Sequence, residues 1–175
     1  LERVLPARTF EDLRVPLGIT VFDLQERALR VVDRGELAPA LRASLSLPGM
    51  FQPARLDGRL CWDGGVAEKT PVSFLSSRDD LDAIIVCYLE ASGDARAPRS
   101  IMGGLRTAQM TLIRPSDQGR LDEARARGID VLVVAPCVPR CGPHLLRRGS
   151  EIADRSRAET LRILRGGALG HPDLR

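Results

Sequence analysis

The chain has 175 residues, 43% of them apolar and 28% charged, with a net charge of +3. That is one domain's worth of ordinary globular composition, long enough to bury a sizeable core. Acids and bases alternate without a run of five like charges, and aromatics make up 3%, which argues against a nucleic-acid surface of basic stripes and stacking rings. No apolar run reaches the roughly 18 residues of a membrane span, and the first residues lack the order of a signal peptide.

In chain order, Leu17 to Asp23 reads as a buried strand introduced by Pro16 and Gly18, and Arg27 to Asp33 as a second strand ended by an Asp-Arg-Gly turn. Gln25-Glu26 between them predicts a hairpin. Glu36 to Ser44 has Leu37, Ala40, Leu41 and Ser44 at helical spacing. Pro48-Gly49 then forces a turn. Ala54-Arg55-Leu56 and Arg59-Leu60-Cys61-Trp62 flank Asp57-Gly58, the strongest short hairpin signal, and the second of these strands leads directly into Asp63. Trp62 is expected to fill the core beneath Asp63.

Thr70 and Pro71 suit the start of a helix over Val72 to Ser77. Asp82 to Leu89 is a near-continuous apolar run, predicting a strand buried on both faces. Ser92 to Arg99 is a polar loop, and Ser100 to Ile113 reads as a helix weakened by Gly103-Gly104. A separate helix, capped by Ser116, is predicted over Asp117 to Arg127, with Gly128 at its end. Ile129 to Ala135 is a second two-sided strand, parallel to the first because helices separate them. Pro136 to Pro143 reads as a loop. The last helix spans Glu151 to Arg165, where Glu151 and Arg155 form an i,i+4 pair worth about 0.2 to 0.5 kcal/mol. Gly166-Gly167 stops that helix, and the tail from Gly170 is expected to fray.

Cys61, Cys87, Cys137 and Cys141 are too few and too irregular for a disulfide scaffold, so reduced thiols are the default. Cys137, Cys141 and His144 supply three potential zinc ligands, but a fourth would have to come from the distant Cys61 or Cys87. A metal or redox role therefore ranks third among the functional readings. His144, in a Gly-Pro-His loop, and His171, in the tail, read as surface residues, not as bases.

Asp63-Gly64-Gly65 carries two readings. Asp before Gly is a common turn former. Glycines beside a carboxylate also leave room for a close approach of backbone or substrate. Spacing does not choose between them.

Gly35-x-Leu37, then Ala43-Ser44-Leu45-Ser46-Leu47-Pro48-Gly49-Met50-Phe51-Gln52-Pro53, then Asp57-Gly58-Arg59-x-x-x-Asp63-Gly64-Gly65-Val66 and Pro71-Val72, together resemble the distal half of the patatin-like phospholipases. The resemblance is close from about Phe10 to Val86 and looser beyond. It implies an α/β fold, a three-layer patatin-like sandwich with a mostly parallel central sheet. Residues 1–175 would be the C-terminal portion of a single acyl hydrolase domain, with the N-terminal part of the fold missing. It also implies a Ser-Asp dyad that cleaves lipid acyl esters, in which Asp63 is the general base toward a serine hydroxyl. Gly64 and Gly65 flank that carboxylate; the substrate-binding residues stay open.

Departures from the family pattern are equally informative. No Gly-x-Ser-x-Gly elbow occurs in the 175 residues, and no Gly-rich stretch precedes one to donate N–H groups to an oxyanion. Ser44, Ser46, Ser73, Ser76, Ser77 and Ser92 lack the flanking glycines an elbow demands. Glu68 and Lys69 stand where the family often has a small or amide residue, and their role is open. The chain begins at Leu1 without Met, so a C-terminal portion of a longer protein, or a truncated gene product, is expected. Such a chain alone would be inactive.

The preferred expectation is a lipid acyl hydrolase of phospholipase or esterase type to which this chain contributes the Asp. Its partner would be a lipid or acyl-ester substrate, with transient contact at a membrane surface, no cofactor or metal, and no nucleic acid. A cytoplasmic location is favoured. The alternative is a catalytically inactive patatin-like remnant or interaction module.

Overall fold

Alternation of side chains in Ile19-Thr20-Val21-Phe22-Asp23 builds β1 (Ile19–Asp23), whose first, third and fifth residues are buried. In the structure, a computed structural model that describes residues 5, 7–88, 90–92, 101–139 and 149–166, β1 pairs antiparallel with β2 (Ala28–Val32) and with β4 (Arg59–Asp63). β4 pairs in turn with β3 (Ala54–Leu56), giving a four-stranded antiparallel sheet ordered β2-β1-β4-β3. The Asp57-Gly58 hairpin has both residues at positive φ, 51° and 77°. That is the geometry whose twist matches paired strands, and it explains the Asp-Gly sequence.

The chain divides into two units, residues 1–74 with 99–117, and residues 75–98 with 118–175. In the first, α1 (Leu37–Ser44) packs on one face of the sheet through Leu37, Ala40 and Ala43. Ala43, one residue earlier than the sequence pattern suggested, completes the buried face, and Leu41 lies at its margin. The alanines let the helix approach closely over Val21 and Cys61, both fully buried. The amide of Leu37 has no partner within its own first turn and donates instead to the carbonyl of Arg8 at 3.0 Å. Phe10, from the same segment, joins the core, and its amide donates to Gly35 O at 3.0 Å.

Trp62 does not lie beneath Asp63. Adjacent residues of a strand face opposite sides of the sheet. Cys61 therefore enters the α1 side, while Trp62 lies on the other side, opposite Phe22 of β1 and only half-buried.

In the second unit, β5 (Ala83–Cys87) and β7 (Asp130–Val134) pair in parallel, as the strand-helix-strand order predicts. β6 (Glu90–Ser92) and β8 (Cys137–Pro139) form a second parallel pair, so the segment read as a loop after Ala135 holds a short strand. Among the described residues, parallel pairing, expected for a mostly parallel central sheet, occurs in β5–β8, while β1–β4 are antiparallel. β5 also departs from the two-sided burial its apolar run suggested. Ile84 and Val86 are buried, but Ala83, Ile85 and Cys87 are exposed.

Between β5 and β7 a single helix, α3 (Ile101–Ala126), replaces the two expected. It passes through Gly103, Gly104 and Pro115. Each glycine costs only about 1 kcal/mol in a helix, and an interior proline, which forfeits one backbone bond, about 3 kcal/mol. Gly128, at φ 84°, ends the turn that follows, its amide donating to Arg125 O at 2.9 Å. Leu121 and Ala124 of α3, Ile163 of α4 (Gly149–Leu164), and Ile84, Val86 and Val133 of the parallel pair are all buried. Glu151 and Arg155 pair at 3.2 Å as expected, and Gly166, at φ 85°, follows the end of α4. No helix among the described residues is long and apolar enough to cross a membrane.

Candidate active site

Two separate polar devices hold the ends of β4. At its start, Asp23 is 2% exposed, and its Oδ1 accepts the backbone amides of Gln25 at 2.9 Å and Glu26 at 3.0 Å. Its Oδ2 accepts from Arg59 at 3.1 Å, and the same Arg59 nitrogen donates to Glu26 at 2.7 Å. The Glu26 amide, reinforced by Arg59 and Gln25 and opposed by burial, holds the Asp23 carboxyl below the usual aspartate range. Gln25 also accepts the amide of Leu60 through its side chain at 3.2 Å, and Leu24 donates to Leu60 O at 3.0 Å. The β1–β2 turn thus clamps the beginning of β4 and fixes its register.

At the other end, Asp63 lies opposite Val21 of β1. Its amide donates to the carbonyl of Ser46 at 3.1 Å, so the segment after α1 is tied to the last residue of the strand. That segment is closed on itself: Ser46 Oγ donates to Arg42 O at 2.8 Å, and the amides of Met50 and Phe51 both donate to Leu47 O around Gly49, at φ 79°. The stretch from Ala43 to Pro53 is therefore a brace for Asp63.

Gly64, Gly65 and Val66 continue as a single 3-10 turn. The carboxylate of Asp63 accepts the amide of Gly65 at 2.8 Å, an N-capping contact that fixes how the side chain is turned. A Cβ on Gly64 would lie 2.6 Å from Thr20 Oγ1 and 2.8 Å from the Thr20 backbone carbon. Only glycine brings the turn this close to β1. A Cβ on Gly65 would stand 3.2 Å from Asp63 Oδ1, the oxygen that its own amide holds. The two glycines thus differ in purpose: one seats the turn against the sheet, the other leaves space beside the carboxylate.

Glu68 was left without a role by its sequence context. In the structure it is 2% exposed, with Oε1 accepting the Ser73 amide at 2.9 Å and Oε2 accepting the Ser73 hydroxyl. An acidic residue shortly before a Thr-Pro helix start is the one signal in the sequence for such a cap. Lys69, next to it, is exposed.

The candidate serines of the same unit are engaged elsewhere. Ser46 is buried with its hydroxyl on Arg42 O, and Ser73 holds Glu68. Cys61 sits in the core opposite Asp23, and burial, with the charge of Asp23 added, pushes its thiol up, away from a reactive thiolate. Cys87 is exposed on β5. Cys141, His144 and His171 lie outside the described residues. Among the described residues no cluster of three metal-ligating side chains occurs.

Residues 1–75 match the family model of the patatin-like phospholipases. Uncharacterized NTE family proteins of Mycobacterium bovis and of two Mycobacterium tuberculosis strains are each 36% identical to the chain over 87 residues. That alignment takes in 49% of this chain and 24% of theirs, so the chain covers about a quarter of the length of these curated relatives. The matched residues carry the antiparallel sheet, α1 and the Asp63 turn, and it is over this part that the chain is similar to the patatin-like phospholipases.

Proposed function

We propose that this chain contributes the aspartate of a Ser-Asp dyad to a lipid acyl hydrolase of phospholipase or esterase type. The observation that carries the proposal is the seating of Asp63: a carboxylate at a strand end, oriented by the Gly65 amide and flanked by two glycines with distinct steric reasons to be glycine. Similarity to the patatin-like phospholipases over residues 1–75 supports acyl-ester chemistry in general terms. The 175 residues contain no Gly-x-Ser-x-Gly, so the dyad takes its serine from outside them, within a three-layer patatin-like sandwich that the strands of this chain help to build.

In this mechanism Asp63 accepts the proton of the serine hydroxyl as the serine attacks the acyl carbon, and returns it to the departing alcohol. The acyl-enzyme is then released by water, deprotonated by the same carboxylate. Asp63 needs a fixed orientation for both transfers, and the Gly65 amide supplies it while leaving the second carboxylate oxygen unused by that bond. The substrate is a fatty acyl ester met at a lipid surface; no metal or nucleotide takes part.

The test is labelling of the full-length gene product with a fluorophosphonate probe, combined with esterase assays of wild type and Asp63→Asn. Labelled wild type and a variant without turnover are expected. Unchanged hydrolysis by Asp63→Asn removes the residue from the mechanism, and absence of any labelling or hydrolysis in wild type favours the inactive remnant.

A further inference from the structure

We propose that Glu68 is a positioning residue for Asp63, acting through the turn between them. Residue 68 lies five positions past Asp63, yet an unbroken series of hydrogen bonds joins the two. The Glu68 carboxylate holds both the amide and the hydroxyl of Ser73, at the start of α2 (Val72–Ser76). The Glu68 amide donates to Gly64 O at 3.1 Å, and the Ala67 amide donates to the same oxygen at 3.0 Å. Between Gly64 and those amides stands Gly65, whose own N–H is aimed at Asp63 Oδ1 at 2.8 Å.

The turn is thus pinned at two ends. At its base, Gly64 is pressed against Thr20 with no room for a side chain. At its far end, the only polar side chain in the sequence 64–68 is Glu68, and it is buried. A buried carboxylate costs free energy unless its oxygens are occupied, so Glu68 stays where Ser73 meets both of them. Fixing both ends fixes the direction of the Gly65 amide, and that amide sets the rotation of the Asp63 carboxylate. A polar side chain of this length is needed to span from the turn to the first turn of α2.

The catalytic consequence rests on the dyad reading above; the geometric one does not. Amide hydrogen exchange in the full-length protein reads the geometry directly. With Glu68→Ala, the Gly65 amide should exchange at least about tenfold faster while Val21 and Val31 amides, in the sheet, keep their rates. Glu68→Gln should stay near wild type, because its amide group offers Ser73 one acceptor and one donor. Hydrolysis should follow the same order, with kcat of Glu68→Ala falling about 10- to 100-fold at nearly constant KM and recovering in Glu68→Gln. Unchanged Gly65 exchange in Glu68→Ala overturns the proposal, as does a Glu68→Gln variant no better than Glu68→Ala. If Glu68→Ala fails to fold, Ser73→Ala, which removes one of the two bonds, should raise Gly65 exchange by about threefold, and no rise rejects the link. Wild type that hydrolyses no ester refutes the dyad, and Gly65 exchange still decides Glu68.

Discussion

The amide of Asp63 is bonded to the carbonyl of Ser46 at 3.1 Å, across seventeen positions of sequence. This one bond ties the end of β4 to the loop leaving α1, so the helix, the Pro-Gly turn and the carboxylate form a single rigid corner. It also explains why Ser46 is buried although its hydroxyl serves only to close the end of the helix onto Arg42. A backbone carbonyl in an irregular loop needs a donor if it is to be buried, and Asp63 provides it.

Gly64→Ala should destabilise the protein by about 1 to 3 kcal/mol, the usual range for overpacking. The added Cβ would meet both the side chain and the backbone of Thr20, so Thr20→Ala should restore only part of the loss. Gly65→Ala should cost less stability, since its Cβ would meet only side-chain atoms of Asp63, the nearest at 3.2 Å, and no backbone. Denaturant midpoints of the three single variants and of the Thr20→Ala/Gly64→Ala double variant check this; full rescue in the double variant would contradict the backbone clash.

Leu37 and Leu45 are eight positions apart at opposite ends of the same segment, one 2% exposed and the other 57% exposed. Leu37→Ala should cost about 2 to 5 kcal/mol by opening a cavity under α1. Leu45→Ala should fall within about 0.5 kcal/mol of wild type. Chemical denaturation of both variants measures the contrast, and equal losses would mean that Leu45 is not free in solution.

Asp23 makes stability depend on pH in a stated direction. Its carboxyl is held below its ordinary range, first by the Glu26 amide and then by Arg59. The folded state therefore binds its proton less readily than the unfolded chain, whose aspartate titrates near about 3.9. The stabilisation is complete above that pH and is lost as pH falls through the lower folded value. Asp23→Asn should be less stable than wild type near neutrality, and the gap should close on acidification. Urea midpoints measured from neutral pH down to the acid limb test this, and a gap independent of pH would assign the effect to packing alone.

Much of the fold was legible in local sequence because its signals are local. Asp57-Gly58 names its own turn by requiring two positive φ values, Pro48-Gly49 and Gly128 mark chain reversals, and β-branched runs mark β1, β2, β5 and β7. The glycine turn at Asp63 was also legible, since Asp before Gly is a turn former. Reading failed where a residue's fate depends on distant neighbours. Ser116 reads as the cap of a second helix, yet α3 continues through it, and Trp62 faces away from the core under α1 because strand phase is fixed by pairing with β1.

Residues 43–71 by themselves determined that a carboxylate would sit on a tight glycine turn at the end of a hairpin strand, because turn chemistry is written in the residues that make the turn. Tertiary structure decided what that turn leans on. Thr20 explains why Gly64 is glycine, Ser46 anchors the Asp63 amide, and Ser73 gives Glu68 its place. None of these partners is readable from spacing, since burial and hydrogen bonding between distant segments are set only when the sheet and its helices close around them.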